Sequence, residues 1–380
     1  MGNSAVSAAT LLVKLNDFER LWADAGSDVL AAVRAVGESG WYILGREVVA
    51  FEGELARLWN SRFAVGVASG LDAIEIGLRA CGCKAGDRVL LPPISAFATV
   101  LAVARLGAIP VFVDCDRFGL MDLDQAREAL SADPSIRFAV PVHLYGHTID
   151  LGALAELKSR YEIAIVEDAA QSVGASFRGR PCGAAGDCAA TSFYPTKNLG
   201  ALGDGGALLT NSEQHATLAR QLRDYGQSSK YVHERIGYNS RLDELHAAIL
   251  RRAMLPRLDS WTATRRAIAA HYIGAIQNPL LEIPGAPAGS ESCWHLCPVL
   301  VAKGRKAEFL AHLRRNGIAA GEHYPSVLMD QPAMRDVSYR ELRPCVRARD
   351  FCGREVSLPI HPYLTADEID RVVASCNVWR

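Results

Sequence analysis

Almost no net charge is present, −1 at pH 7 over 380 residues, so the balance points to neither nucleic acid nor an anionic membrane surface. Partners have to be read from sites. No stretch approaches the ~20 apolar residues of a membrane span. The opening Met1-Gly2-Asn3-Ser4-Ala5-Val6 lacks a basic segment followed by an apolar core. Val6 stands where a myristoylation signal needs Ser or Thr. A cytoplasmic protein is the expectation. The chain has ten cysteines but no C-x-x-C pair, Cys81-Gly82-Cys83 being the nearest approach, so spacing gives zinc no support and no metal is expected. A chain this long needs no disulfide staples, and free buried thiols are the expected state.

What is present reads as a globular enzyme, with 49% hydrophobic and 22% charged residues, ordinary values for that class. Apolar runs recur at 64–68, 88–92, 110–114, 138–142, 163–167, 188–193 and 205–210. Most are continuous instead of alternating, as in strands buried on both faces. Helical patterns lie between several of them, at 71–80, 96–105, 123–130 and 151–161. That alternation predicts an α/β domain around a seven-stranded, mostly parallel sheet. A long helical pattern from Leu242 to about Tyr272 should kink or break at Pro256. Beyond it, a strand-like 296–301 and helices near 306–316 and 366–375 suffice for a smaller α+β domain. The expected division is a large domain over 1–250 and a small one over 251–380.

Three segments carry chemistry. In Ile165-Val166-Glu167-Asp168-Ala169-Ala170-Gln171 an apolar strand ends in a carboxylate, at the carboxyl edge where α/β sheets bind ligands. An Asp there can pair with a buried cation, or simply cap the next helix. In Thr191 to Gly200 a strand runs into a Pro-broken loop holding one lysine, Lys197. Apolar and small neighbours disfavour an ammonium ion, which suits a nucleophilic amine, although most lysines are solvated surface groups. In Val67-Ala68-Ser69-Gly70-Leu71-Asp72 a strand ends and a helix starts at once, leaving backbone N–H groups free for a phosphate. Neither G-x-x-x-x-G-K-[ST] nor G-x-G-x-x-G fits here, which disfavours a nucleotide P-loop or an NAD-dependent enzyme.

Together these segments resemble the fold-type-I pyridoxal-phosphate enzymes, specifically the DegT/DnrJ/StrS-type sugar aminotransferases. The resemblance rests on Glu167-Asp168-Ala169-Ala170-Gln171, on Ser192 to Gly200, and on Gly237-Tyr238-Asn239-Ser240-Arg241-Leu242-Asp243-Glu244. Weaker support comes from Gly86-Asp87, Pro141 to Gly146, His323-Tyr324-Pro325 and Ser357-Leu358-Pro359. It implies that Lys197 carries pyridoxal 5'-phosphate as a Schiff base and that Asp168 pairs with the pyridine nitrogen. Gln171 would reach the phenolic oxygen, and Ser69, Gly70, Leu71 and Ser192 would surround the phosphate. Asn239 would reach the phosphate of a neighbouring subunit, making a homodimer with shared sites. On sequence alone, Ser240 could cap a helix from Arg241 onward, a reading compatible with the role of Asn239. In Pro92 to Thr99 the ring-stacking aromatic of the family aligns with Ala96, and Phe97 falls one position late. Phe97 is the ring neighbour if the loop slips by one residue.

The resemblance further implies ping-pong transfer of an amino group from L-glutamate to a nucleotide-linked keto-sugar. The stretches Ser69 to Ala73 and Tyr225 to Tyr231 are similar to members acting on dTDP-3-keto-6-deoxyhexoses, of the kind found in O-antigen or antibiotic sugars. UDP-linked 4-keto sugars and cyclitol ketones are the alternatives. His323 and Tyr324 are candidate substrate contacts, or structural packing. A sugar dehydratase of the same fold would carry His in place of Lys197. A non-catalytic regulator should have lost Lys197 or Asp168, or should show a basic face.

Overall fold

The computed structural model describes residues 12–380. The opening hexapeptide, and with it the start of the expected 1–250 domain, lies outside the described residues. All seven expected strands form, within an eight-stranded sheet. Its order across the sheet is Phe63–Val67, Gly206–Thr210, Cys188–Ser192, Ala164–Asp168, Ile136–Ala139, Arg88–Leu91, Ile109–Phe112 and Arg340–Glu341. Pairing is parallel except around Gly206–Thr210, which runs antiparallel to both neighbours. The eighth strand, Arg340–Glu341, is two residues long and comes from the C-terminal third of the chain. Every residue of Cys188–Ser192 and Gly206–Thr210 is buried, which is why their sequences run apolar without alternation.

Helices cover both faces of the sheet. On one, Gly70–Ala80 and Phe97–Arg105 pack over Val65, Val89, Leu90 and Val166; on the other, Phe18–Ser39 and Arg46–Leu58 enclose Phe51, Phe193 and Leu250. Local capping agrees with the fold. Asp122, Asp150 and Ser212 each accept from the first-turn N–H groups of the helix that follows, and Thr365 forms a capping box with Glu368.

Helix Arg46–Leu58 is capped from a distance. Its N-cap, Gly45, has no side chain to give, and the buried carboxylate of Glu244 accepts from the N–H groups of Gly45, Glu47 and Val48 at 2.9, 2.9 and 2.8 Å. Replacing Glu244 by Ala strands three donors, two of them buried, and removes a charge matched to the helix N-terminus. A loss of roughly 2–4 kcal/mol is expected, read as a fall in the denaturation midpoint.

The long helix from Leu242 breaks up as Pro256 demands. Glu244–Ile249 is α-helical, Leu250–Met254 widens to a π turn, Leu255–Arg257 tightens to a 3-10 turn, and Leu258–Ala275 resumes. The widened turn accommodates the hydrogen bond that proline cannot donate. Helix initiation falls to Asp243, whose side chain accepts from His246 N–H. Ser240 caps nothing.

Beyond Ala275, Leu281–Glu282, Cys297–Val301 and Glu355–Leu358 form a small antiparallel sheet. Helices Lys306–Arg315 and Ala366–Val378 pack on it through Phe309, Leu313, Val372 and Trp379. All ten cysteines are free thiols. Among the described residues, no helix is long and apolar enough to cross a membrane.

Candidate active site

Strand ends and one helix start converge on a cavity of about 390 Å³. The sequence segments read above for chemistry meet here. Ser69, Gly70, Leu71, Asp168, Gln171, Ser192, Lys197, His323 and Tyr324 all line it, although they come from four separate stretches of chain.

The anion cradle is built by close approach. Ser69 ends its segment in extended backbone, and its hydroxyl oxygen accepts from Asp72 N–H at 3.1 Å. The N–H groups of Gly70 and Leu71 fall in the first helical turn, which has no partner of its own. A Cβ on Gly70 would sit 2.7 Å from the Ser192 Cβ, and one on Gly206 would sit 2.4 Å from the Ser69 carbonyl. Glycine is therefore required on both sides. Ser240 braces the turn: its hydroxyl donates to Asp72 at 2.7 Å and accepts from Ala68 N–H at 3.1 Å. Gly70→Ala should weaken cofactor affinity by ~10–100-fold, about 1.4–2.8 kcal/mol, measured by titrating the apoprotein with pyridoxal phosphate.

Opposite the cradle, Asp168 is 5% exposed. Its Oδ2 accepts from the Thr99 hydroxyl at 2.8 Å and its Oδ1 from Ala170 N–H at 3.1 Å. Ser95 lies 2.7 Å from the Thr99 hydroxyl; because Thr99 donates to Asp168, Ser95 donates to Thr99. Burial pushes the Asp168 carboxyl above its ordinary range, against the pull of Thr99, Ala170 N–H and Lys197. The helix-cap reading of Asp168 does not hold, since turns and strands follow it and the next helix is Glu213–Arg223.

Lys197 sits in a tight loop. Its N–H donates to Tyr194 O at 2.8 Å, and Ala201 N–H closes the loop onto Phe193 O at 2.7 Å. The adjacent Asn198 is buried and anchors the loop to the C-terminal segment, donating to Cys293 O at 3.1 Å. Burial pushes the Lys197 amine down to about 8, with Asp168 opposing.

Gln171 is oriented by both ends of its amide. Oε1 accepts from Tyr145 N–H at 2.8 Å, which puts Nε2 towards the Tyr324 hydroxyl at 3.1 Å. The second Nε2 hydrogen remains for a cavity oxygen. His323 Nδ1 lies 2.9 Å from the Ser357 hydroxyl, and that hydroxyl donates to the buried Glu355 at 2.6 Å. His323 therefore carries its proton on Nδ1 and leaves Nε2 as an acceptor. Burial holds the ring down to about 4, so it is neutral near pH 7.

Of the expected residues of this cavity, Phe97 lies elsewhere, and Asn239, expected at a partner's cradle, is not part of it. Phe97 is the first residue of its helix and packs against the main core, while Ala96 and Ala98 line the cavity in its place. The loop does not slip, because Thr99 must face Asp168. Asn239 is exposed and bridges Asp224, outside the cavity. Thr99 and His295 line or brace the site without having been singled out. Thr99 could have been found by counting one helical turn from Ala96. His295, whose Nδ1 lies 3.3 Å from Asn198 Oδ1, has no sequence signal.

This donor set fits a phosphorylated pyridine aldehyde. There is a glycine-walled anion cradle, an amide donor for a phenolic oxygen, a buried carboxylate for a ring nitrogen and an amine of lowered pKa.

Comparison with known proteins agrees. The sequence profile of the DegT/DnrJ/EryC1/StrS aminotransferase family matches residues 23–377. The chain is 42% identical over 360 residues to the erythromycin biosynthesis sensory transduction protein EryC1 of Saccharopolyspora erythraea, covering 94% of this chain and 97% of that one. It is 40% identical over 373 residues to the dTDP-3-amino-3,4,6-trideoxy-alpha-D-glucose transaminase of Streptomyces venezuelae, covering 98% and 97%. The crystal structure of S. venezuelae DesV in complex with a ketimine intermediate superposes with a TM-score of 0.93 at 40% identity, covering 97% of this chain and 99% of that one.

Proposed function

The chain belongs to the DegT/DnrJ/EryC1/StrS aminotransferase family, whose cofactor is pyridoxal phosphate, and we propose that it aminates a dTDP-linked 3-keto-6-deoxyhexose with L-glutamate as donor. The observation that carries the substrate is 40% identity, over nearly the full length of both chains, to a transaminase named for a dTDP-3-amino sugar.

Pyridoxal phosphate, once bound, supplies the electron sink for the carbanion left when the donor loses its α-proton. The chain's own residues do the rest. The turn at Ser69, Gly70 and Leu71, with Ser192, holds the phosphate. Asp168 keeps a proton on the pyridine nitrogen, and Gln171 Nε2 donates to the phenolic oxygen. Lys197 would anchor the cofactor covalently, and its amine, when free, would take the proton from the donor's α-carbon and return it. His323, neutral with Nε2 unprotonated, accepts from a sugar hydroxyl; Tyr324 holds Gln171 in place.

Surface composition supports a homodimer. Trp41, Val49, Tyr231 and Ile236 are 62%, 67%, 81% and 85% exposed, and an apolar hollow of about 490 Å³ lies against Phe18, Trp22, Leu202 and Met254. Such surface is normally covered by a partner. Exposed Asn239 is free to reach that partner's cradle. A cytoplasmic location accords with unpaired thiols throughout.

The regulatory reading has two relatives' names in its favour, a sensory transduction protein and a pleiotropic regulatory protein. Retention of Lys197 and Asp168 in one cavity supports catalysis instead.

The deciding experiment incubates holoenzyme and L-glutamate with dTDP-3-keto-6-deoxyglucose or with a UDP-4-keto sugar, following 2-oxoglutarate and the aminated sugar by mass spectrometry. Turnover of only the UDP substrate would overturn the sugar assignment. No amine from any keto-sugar would sink the aminotransferase reading. A pH test is separable. Because the amine is the reactive form, capture of pyridoxal phosphate by apoprotein should speed up nearly tenfold from pH 6 to 7 and level off above about 8.

A further inference from the structure

Helix Gly70–Ala80 and strand Cys188–Ser192 approach each other twice. Where Gly70 meets Ser192 they build the anion cradle. At their other ends Cys81, which caps the helix C-terminus, lies beside Cys188, the first residue of the strand. His215, in the first turn of helix Glu213–Arg223, closes the group. The two Sγ atoms and a ring nitrogen of His215 all lie within 4.8 Å of one another. No other group of three His, Cys, Asp or Glu side chains is so placed among the described residues.

The spacing is that of a coordination sphere. In a tetrahedral zinc site with Zn–S ~2.3 Å and Zn–N ~2.0–2.1 Å, ligand atoms stand roughly 3.5–3.8 Å apart. Cys188 Sγ and His215 Nδ1 are 3.8 Å apart, and Cys81 Sγ lies within 4.8 Å of both, near enough for a small shift to close the three on one ion. The chemistry agrees as well. Two thiols and one imidazole make up a donor set that zinc favours. The C-terminus of helix Gly70–Ala80 at Cys81 favours a cation, against the opposing N-terminus of helix Glu213–Arg223 at His215. Cys188 is buried, but Cys81 and His215 are only half-buried, so an ion can enter from solvent and keep a water as fourth ligand.

We propose that Cys81, Cys188 and His215 form a binding site for a thiophilic divalent metal ion of the zinc class. Binding displaces the protons that the trio still holds and leaves two thiolates and one neutral imidazole on the ion. The site is separate from the cofactor cavity and does not depend on the reaction assigned there. It also pins together, at their far ends, the two elements that make the cradle.

The test uses holoenzyme stripped with a chelator under reducing conditions, loaded with zinc chloride and desalted, with metal counted by elemental analysis. About one zinc per chain is expected in wild type. Cys81→Ser and His215→Ala should weaken binding by more than the ~10–100-fold typical of outer-shell changes, while retaining the visible cofactor band as evidence of folding. Cys81→Ser/Cys188→Ser should retain none. Zinc should raise the melting temperature of wild type and not of the double variant. The proposal is overturned if wild type retains no more zinc than the double variant. It is equally overturned if thiol counting finds Cys81 and Cys188 joined as a disulfide in the purified holoenzyme.

Discussion

Lys197→Ala should bind pyridoxal phosphate without forming the covalent link. The visible absorption band should be absent, and transfer from L-glutamate should fall by about 10³-fold or more. Two roles are lost together, anchor and proton carrier, so the loss exceeds that of either. The environment gives the reason. An ammonium is disfavoured in this loop, and the amine's pKa stands at about 8, so roughly a tenth of the chains hold a neutral nucleophile at pH 7. Lys197→Arg should be equally inactive, because guanidinium stays charged. Adding a small primary amine should partly restore proton transfer in Lys197→Ala and not in Lys197→Arg. That rescue separates a missing base from a damaged fold. If Lys197→Ala keeps the band, another lysine is the anchor and the placement of Lys197 in the cavity has been misread.

The parts legible in the sequence are those where local chemistry and tertiary position coincide. Strands buried on both faces announce themselves as continuous apolar runs, and all seven appeared. Ser69-Gly70 ends one strand and begins a helix within two residues, so its free N–H groups had one direction to point. Arg340–Glu341 could not be read, since two residues have no periodicity and their pairing partner is more than 200 residues away. Phe97 was misplaced because an aromatic near the expected column attracts attention, whereas the Thr99 hydrogen bond to Asp168 fixes the helix phase and turns Phe97 into the core. Ser240 looked like a helix cap, yet its hydroxyl is spent on Asp72 and Ala68. The cysteines gave no metal signal because Cys81, Cys188 and His215 are far apart in sequence and only the sheet brings them together. Spacing rules detect ligands carried on one loop, not on three elements.

Asp168→Asn should be the converse of a destabilising mutation: folded, cofactor-loaded and nearly inactive. Asparagine keeps the shape and cannot hold the charge that keeps a proton on the pyridine nitrogen, so the half-reaction with L-glutamate should slow by ~10²–10³-fold. The covalent cofactor band should persist, because Lys197 is untouched. Stability should move the other way. Burial raises the Asp168 carboxyl above its unfolded value, so the native state binds the proton more tightly than the unfolded chain. Stability therefore falls as pH rises through the window between the unfolded and the raised native value, and above that window the apoprotein carries an ionised, desolvated carboxylate. Removing the charge relieves that cost. The hydrogen bonds survive if the amide oxygen accepts from Ala170 N–H and the amide nitrogen donates to Thr99, which then turns its proton to Ser95. Near neutral pH the apoprotein of Asp168→Asn should melt no lower than wild type, and the difference should shrink as pH is lowered. Thr99→Val, which leaves the carboxylate in place with one donor fewer, should raise the Asp168 pKa further and move the acid limb of the pH–rate profile upward. A variant that lost activity, cofactor and melting temperature together would show Asp168 to be a packing residue, and the ring-nitrogen role would fall with it.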